Sequence, residues 1–255
     1  MPIPYQESIW IGWDKREAAA FAVARASCKH YLTRPVPIYG LLLTDLIKQG
    51  LYKRPIEYRP SAADKPIMWD VVSDAPMSTD HACARFFIVP LAKKIGLKGW
   101  ALFCDGDVLF RGDVCRLFEQ LDNSKALYCV HHKHEPKEAV KMDDQIQTVY
   151  ARKNQSSVMM INLDHVANGA LTLDVLNNTP GRDLHKFFWL ADCDIGELDQ
   201  CWNHLVGVTD PENSATIAHF TEGTCDMPGY ECQKYCEEWT SIRDDWARGT
   251  LSFGS

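Results

Sequence analysis

The chain has 255 residues, of which 46% are apolar and 24% charged, a composition that excludes a short peptide hormone and a disordered chain. Lys and Arg number 27 against 34 Asp and Glu, a formal net charge of −7, which disfavours nucleic acid as a partner. No apolar run is long enough to span a bilayer, and residues 1–7 lack the basic start and apolar core of a signal peptide. We therefore expect a cytoplasmic protein.

Apolar runs with strand character alternate with helical stretches along the chain. The predicted strands lie at residues 8–13, 36–43, 100–104, 126–130, 157–161 and 215–220. The predicted helices lie at residues 17–31, 79–94 and 231–248, with Pro90 near the end of the second. The first strand breaks at Gly12, and a proline delays the start of the second.

This alternation predicts a single α/β domain over residues 1–255, built on a mostly parallel sheet with helices on both faces. No Gly/Ser-rich or Pro-rich linker divides the chain, and we expect residues 52–66 to form a surface excursion. Ligands of such sheets bind at the carboxyl ends of the strands. The functional site is therefore expected directly after the strands.

The ten cysteines are spread along the chain, and several, such as Cys104 and Cys129, stand in apolar runs. A reduced cysteine in such a run behaves as a small hydrophobic residue. The tightest group consists of Cys225, Cys232 and Cys236 and lacks the two-residue gap of a zinc knuckle. We expect reduced structural thiols throughout.

An acidic turn follows the predicted strand at residues 100–104. In extended backbone, Asp105 and Asp107 point the same way, while Gly106 lets the backbone approach a ligand. Two carboxylates at a strand end suit Mn²⁺ or Mg²⁺, and such an ion can bridge a diphosphate. A turn whose aspartates only accept backbone hydrogen bonds is the alternative.

The wider sequence around this turn resembles the GT-A glycosyltransferases, and most of all family 8 (glycogenin and bacterial galactosyltransferases) with its bacterial and phage relatives. Five segments carry the resemblance in the family's order. They are the first strand and nucleotide-binding turn at 11–17, a helix with an arginine and a proline at 84–91, the strand and Asp-x-Asp turn at 101–113, an acceptor-side strand at 152–162, and the metal histidine with its diphosphate loop at 219–223.

The resemblance implies a GT-A fold and metal-dependent transfer of a sugar, with retention, from a nucleotide-sugar to an acceptor hydroxyl. The donor is expected to be a UDP-sugar, and the acceptor a glycan or another hydroxyl-bearing molecule. The implied ligands of Mn²⁺ or Mg²⁺ are Asp105, Asp107 and His219. The implied donor-binding residues are Ile11, Gly12, Asp14, Arg16, Arg85, Asp105, Gly106 and Gly223. The implied acceptor-side residues are Asn154, Ser156 and Trp202, and the implied catalytic residues are Asp199 and Gln200.

Two features depart from the family pattern. No lysine stands within residues 224–228, so neutralisation of the diphosphate would fall on the metal and Arg85. Asn203 stands one residue closer to Asp199 and Gln200 than the family's asparagine does. The loop at 220–230 contains Gly223, and we expect its backbone amides to bind the diphosphate and the loop to be mobile until the donor arrives.

Each candidate residue also has a purely structural interpretation. His219 follows an apolar run and could be a histidine at the edge of the core. Arg85 could pair with a structural carboxylate, and Asp14 could cap the following helix. Trp202 is typical of a core residue. An exposed loop is expected for His131, His132 and His134.

Two other classes of protein also remain open. A metal-dependent nucleotidyltransferase or pyrophosphorylase uses carboxylates on a similar sheet, but it would carry a Gly-rich, basic loop after the first strand. Residues 12–16 contain one glycine. A non-catalytic nucleotide-sugar-binding module would keep the fold without the chemistry.

Overall fold

The computed structural model describes residues 7–60, 66–131, 140–141, 145–146, 155–210 and 214–250. Its strands, in chain order, are β1 (Glu7–Gly12), β2 (Ile38–Leu41), β3 (Ile56–Arg59), β4 (Ile67–Asp70), β5 (Ala75–Pro76), β6 (Trp100–Cys104), β7 (Val108–Phe110), β8 (Leu127–Cys129), β9 (Val140–Lys141), β10 (Gln145–Ile146), β11 (Val158–Asn162), β12 (Ile195–Glu197), β13 (His204–Leu205) and β14 (Ile217–His219). Its α-helices are α1 (Ala18–Tyr31), α2 (Leu43–Lys48), α3 (Ile88–Lys94), α4 (Cys115–Phe118), α5 (Leu173–Asn178), α6 (Gly181–His185) and α7 (Cys236–Ala247).

The central sheet has six strands in the order β12-β8-β11-β6-β1-β2. Three of its pairings, β1 with β2, β1 with β6 and β8 with β12, are parallel. β11 runs antiparallel to both of its neighbours, β6 and β8. The predicted α/β fold with a mostly parallel sheet is confirmed.

Side chains alternate between the two faces of this sheet, and both faces are buried. Trp10, Phe103 and Met159 pack on one face, and Ile11 and Leu102 pack on the other. Such burial on both sides explains why the predicted strands are continuous apolar runs. A third apolar cluster, which includes Trp239 of α7, lies between α1, α7 and β7.

Three smaller sheets in the described residues extend the architecture beyond the sequence prediction, one of them the antiparallel pair of β9 and β10. β3, β4 and β5 form a second, antiparallel sheet. In the third sheet, β14 pairs antiparallel with β7 and parallel with β13. The prediction that residues 52–66 form a surface excursion is wrong for the first of them, because Tyr52 and Arg54 are buried. Arg54 donates from Nη2 to Asp70 Oδ2 at 2.5 Å, so β4 anchors this stretch to the core.

Two of the predicted helices begin later in the structure than the sequence predicts. The stretch predicted as one helix over 79–94 begins with turns and a 3₁₀ segment, Ala84–Phe87, before α3. Pro90 therefore falls in the first turn of α3, where its missing N–H costs nothing, rather than near a helix end. The last helix begins at Cys236 instead of residue 231, because the preceding residues form successive turns.

The expectation of reduced thiols throughout is wrong for one pair. Cys225 and Cys236 form a disulfide with a Cα–Cα distance of 5.4 Å. The turns before α7 fold the chain back on itself, which brings the two side chains together within the apolar cluster of Trp239. Among the described cysteines outside this bond, Cys104 and Cys129 are buried and reduced, as expected, whereas Cys232 is exposed.

None of the helices in the described part of the chain is long and apolar enough to cross a membrane.

Candidate metal centre

The candidate site lies at one edge of the central sheet, where three neighbouring strands end or begin. Ile11 near the end of β1 pairs with Cys104 at the end of β6, and Val158 at the start of antiparallel β11 also faces Cys104. The turn after β6 is fastened there, because the Asp105 N–H donates to the Ser157 carbonyl at 2.9 Å. The sheet register therefore delivers the acidic turn to the end of β1.

Gly106 allows the turn to approach the first strand, and Gly12 allows the His81 ring to do so. A Cβ at Gly106 would lie 2.5 Å from the carbonyl oxygen of Gly12, and a Cβ at Gly12 would lie 2.6 Å from the His81 ring. Real Cβ atoms do not come so close to other heavy atoms, so both positions need glycine. The predicted importance of these glycines thus has a packing cause.

Asp105, Asp107 and His219 converge at this edge. Each offers a ligand atom, and these atoms all lie within 4.8 Å of one another. His219 Nε2 is 3.3 Å from Asp107 Oδ1, and the His219 ring is buried. The side chains of Asp105 and Asp107 are 16% and 18% exposed, so the cluster opens to solvent on their side.

Two positively charged or basic side chains contact the Asp105 carboxylate from behind. Arg85 Nη2 lies 3.0 Å from Asp105 Oδ1, and His81 Nε2 lies 3.3 Å from the same oxygen. Arg85 also donates from Nη1 to the Ser156 carbonyl at 2.7 Å, which fixes the guanidinium. Burial works to raise the pKa of Asp105, but the charges of Arg85 and His81 outweigh it and hold that pKa below its usual range.

His219 is held from its other ring nitrogen. Its Nδ1 and the Asn203 Oδ1 are 2.9 Å apart, and Asn203 Nδ2 donates to Ser157 Oγ at 2.9 Å. Asn203 is fully buried. Ser157 thereby connects both ends of the site, since its carbonyl accepts from Asp105 and its hydroxyl from Asn203.

Asp14 organises the turn after β1. Its carboxylate accepts from the Arg16 N–H at 2.8 Å, from the Arg16 side chain at 2.6 and 2.9 Å, and from the Asp80 N–H at 2.9 Å. Burial alone would raise the pKa of Asp14, but these hydrogen bonds lower it to about 2. The structure shows the capping contact that the structural interpretation predicts, while the contacts of Asp14 and Arg16 with the sugar donor remain predictions.

Ile11, another of the predicted donor-binding residues, is fully buried in the core.

Sequence reasoning missed three residues of this edge: His81, Asn203 and Glu17. His81 precedes Arg85 by four residues, and this helical spacing was a signal that could have found it. Asn203 is visible only as the asparagine with non-family spacing. Burial and the nearby Asp107 carboxylate raise the pKa of Glu17 to about 7. Glu17 directly precedes α1 and Asp107 directly precedes β7, so this relationship leaves no trace in local sequence.

The predicted acceptor side is partly described. Ser156 is buried, and its Oγ lies 2.8 Å from Nδ1 of His185 on α6. Burial and the charge of Arg85 lower the pKa of His185 to about 3, so this imidazole is neutral. Asn154 lies outside the described residues. Trp202 is 7% exposed and belongs to the apolar core, as its structural interpretation predicts, and its acceptor-side role stays a prediction.

The predicted catalytic pair lies in a short 3₁₀ segment before β13. The exposed Asp199 begins that segment and accepts from the Cys201 N–H at 2.8 Å. Gln200 is exposed. These contacts assign Asp199 a capping role, and the catalytic role of the pair stays a prediction. His131 is exposed, as expected, whereas His132 and His134 lie outside the described residues.

The loop after His219 is a series of turns. The amides of Gly223, Met227 and Tyr230 donate to the carbonyls of Phe220, Thr224 and Met227, respectively. A Cβ at Gly223 would lie 2.8 Å from the Tyr230 ring, so the glycine serves packing as well. Three of the amides expected to bind the diphosphate thus have carbonyl partners, and the predicted binding and mobility of the loop stay predictions.

The residues at this edge fit a divalent cation. The Oδ1 atoms of Asp105 and Asp107 are buried and make no well-formed hydrogen bond among the described residues. Arg85 and His81 lie near Asp105 Oδ1, whereas Asp107 Oδ1 has only the His219 ring at 3.3 Å. A buried carboxylate oxygen such as that of Asp107 is costly unless a cation or another donor reaches it. Two carboxylates and one imidazole are a ligand set that suits Mn²⁺, and Mg²⁺ less well because it prefers oxygen.

Comparison with known proteins gives the chain its family. Protein CDI of Arabidopsis thaliana is 34% identical over 238 residues, which cover 90% of this chain and 82% of that protein. The chain belongs to the family of Protein CDI. No protein-family model matches the sequence.

Solved structures give the fold its class. WbbM, a bifunctional glycosyltransferase, has a TM-score of 0.61 at 11% identity over 95% of this chain and 50% of its own. The glycosyltransferase GlyE of Streptococcus pneumoniae TIGR4 has a TM-score of 0.52 at 13% identity over 99% of this chain and 66% of its own. An active-site mutant of LgtC has a TM-score of 0.52 at 14% identity over 93% of this chain and 95% of its own. This chain therefore has the GT-A glycosyltransferase fold, as predicted, and it spans half of WbbM and about two thirds of GlyE.

Proposed function

We propose that the protein is a metal-dependent glycosyltransferase that moves a sugar from a nucleotide-sugar, expected to be a UDP-sugar, to an acceptor hydroxyl. The observation that carries this proposal is the convergence of Asp105, Asp107 and His219 at the carboxyl edge of a GT-A sheet. Ligands of such sheets bind at that edge. The galactosyltransferase LgtC, which shares the fold, has been solved in complex with donor and acceptor sugar analogues.

Asp105, Asp107 and His219 would hold the ion, with Mn²⁺ favoured and Mg²⁺ the alternative. A divalent ion bound there supplies positive charge against the diphosphate that leaves the sugar. Arg85 adds a fixed positive charge behind Asp105, and its contacts with Ser156 and Asp105 hold the guanidinium in place. This arrangement compensates for the lysine missing from residues 224–228.

The nucleoside is proposed to bind over the end of β1, near Gly12, Asp14 and Arg16. The family pattern carries this proposal, and the packing of Gly106 on Gly12 keeps the diphosphate side of the site next to this strand end. The diphosphate would then reach the loop at 220–230. The predicted donor role of Ile11 can involve only its backbone, because its side chain is buried.

Retention of configuration is proposed with the acceptor hydroxyl attacking on the face that the diphosphate leaves. This scheme requires no strong enzymic nucleophile. We propose Asn154, Ser156 and Trp202 for the acceptor side. We propose Asp199 with Gln200 for the catalytic side, and both sets follow the family pattern. A glycan or another hydroxyl-bearing molecule is the proposed acceptor, and the charge balance disfavours nucleic acid.

The single domain over residues 1–255 and the cytoplasmic location also stay proposals. The disulfide between Cys225 and Cys236 disfavours the cytoplasmic location, because such bonds are typical of oxidising compartments.

Calorimetric titration of UDP and of a nucleoside triphosphate, each with and without Mn²⁺, tests the proposal. We expect UDP binding that requires Mn²⁺ and weaker binding of the triphosphate. Preferential triphosphate binding with formation of pyrophosphate would support a nucleotidyltransferase instead. Binding of UDP-sugars without any release of UDP would support the non-catalytic module.

A further inference from the structure

Asn203 lies behind the candidate metal ligand His219. It is fully buried, immediately before β13, and its side chain reaches both Ser157 and His219. Its two contacts use opposite ends of the amide group. In this arrangement the amide oxygen faces the imidazole.

The structure turns the amide nitrogen of Asn203 toward Ser157. Asn203 Nδ2 is a donor only, and it donates to Ser157 Oγ at 2.9 Å. Oδ1 therefore faces His219 Nδ1 at 2.9 Å, and this oxygen is an acceptor only. A hydrogen bond at this distance requires a proton on Nδ1. In a neutral imidazole, the other nitrogen, Nε2, then carries a lone pair.

That lone pair faces the carboxylates. His219 Nε2 lies 3.3 Å from Asp107 Oδ1, and in this tautomer no proton stands between the two atoms. Two lone pairs at this distance repel each other, and a cation between the ligands would turn the repulsion into attraction. The alternative tautomer would place a proton on Nε2 and block coordination of a metal.

We propose that Asn203 is a positioning residue that holds His219 in the Nδ1–H tautomer and thereby presents Nε2 to the metal. The inference rests on the proposed function for the identity of the ligand, but the tautomer itself is a property of the metal-free protein. Ser157 supports this orientation, because its hydroxyl accepts from the Asn203 amide nitrogen. Partners that orient a ligating histidine typically contribute 10–100-fold to metal affinity.

Nitrogen NMR tests the proposal on the full chain without metal. Two-bond proton–nitrogen spectra of ¹⁵N-histidine-labelled wild type distinguish Nδ1–H from Nε2–H, and the His219 signals are those lost in His219→Gln. We expect the Nδ1–H form in the wild type. Asn203→Leu keeps a side chain of similar volume but removes the Oδ1 acceptor, and it should shift His219 toward the Nε2–H tautomer. Asn203→Asp keeps a carboxylate oxygen as the acceptor and should preserve the Nδ1–H tautomer.

Mn²⁺ affinity, measured by electron paramagnetic resonance, supplies the second readout. Asn203→Leu should weaken Mn²⁺ binding about 10–100-fold, and Asn203→Asp should restore it to at least the wild-type value. Ser157→Ala replaces Asn203→Leu if the latter does not fold, and it should shift the tautomer in the same direction.

An Nε2–H tautomer in the wild type, or an Nδ1–H tautomer unchanged in Asn203→Leu and Ser157→Ala, would overturn the assignment. If the tautomers behave as expected but the wild type binds no Mn²⁺, the proposed metal dependence fails while the positioning role of Asn203 is supported.

Discussion

His219 Nε2 lies 3.3 Å from Asp107 Oδ1, although the two residues belong to distant parts of the chain. The contact is set by a strand pairing, since His219 at the end of β14 pairs with Val108 at the start of β7. The Phe220 N–H also donates to the Asp107 carbonyl at 3.0 Å. Backbone hydrogen bonds on both sides therefore preform this half of the candidate metal site.

His219→Gln should weaken Mn²⁺ binding at least about tenfold, because it replaces an imidazole ligand with a weaker amide of similar size. UDP binding in the presence of Mn²⁺ should weaken with it, while the melting temperature of the metal-free protein stays near that of the wild type. Calorimetry and thermal melts measure these quantities.

His30→Gln provides the matched control, since His30 is exposed on α1. A His219→Gln protein that melts early, and whose folded fraction binds Mn²⁺ and UDP normally, would show that His219 is structural.

Gly106→Ala should destabilise the protein by about 1–3 kcal/mol, because the new methyl group meets a backbone carbonyl that cannot rotate away. The displacement of the acidic turn from β1 should also weaken Mn²⁺ binding. Urea unfolding measures the first effect. Gly169→Ala is the control, since its Cβ would meet no atom within 4 Å, and equal stability of both variants would contradict the close approach.

Asp14→Asn should cost about 2 kcal/mol at neutral pH, because the buried carboxylate has a pKa of about 2 in the fold against an ordinary value of 3.8. A lowered pKa contributes stability that is present above the ordinary value and is lost as the pH falls toward the folded value. The difference between wild type and variant should therefore shrink to about half at pH 3. Urea unfolding across this range would contradict the assignment if the difference grew on acidification.

The central sheet and the position of the site could be predicted from sequence, because buried strands are continuous apolar runs and ligands bind at strand ends. Asp105, Asp107 and His219 came from a local motif and a family resemblance. The sheet formed by β7, β13 and β14 could not be predicted, because its strands are two or three residues long and their pairing depends on tertiary contacts. The contacts of Asn203 and His81 with the site could not be predicted for the same reason, since their partners lie on other elements.

The disulfide between Cys225 and Cys236 should contribute about 3 kcal/mol, as expected for a loop closed at a separation of 11 residues. Cys225→Ser should lower the melting temperature, and a reducing agent should do the same to the wild type but not to the variant. Cys232→Ser is the control, because Cys232 lies between the two and is exposed. Full alkylation of Cys225 in unreduced, denatured protein would show that the bond does not form.

The most direct test of metal-dependent sugar transfer is the release of UDP from a panel of UDP-sugars, without acceptor, by the wild type and by Asp107→Asn. Transferases of this kind hydrolyse their donor slowly when water replaces the acceptor. We predict release from at least one donor with Mn²⁺, its loss in EDTA, its return when Mn²⁺ is restored, and a decrease of about 10²-fold or more in Asp107→Asn. Release that persists undiminished in EDTA or in Asp107→Asn, or no release by folded wild type with Mn²⁺ from any donor, would contradict the account.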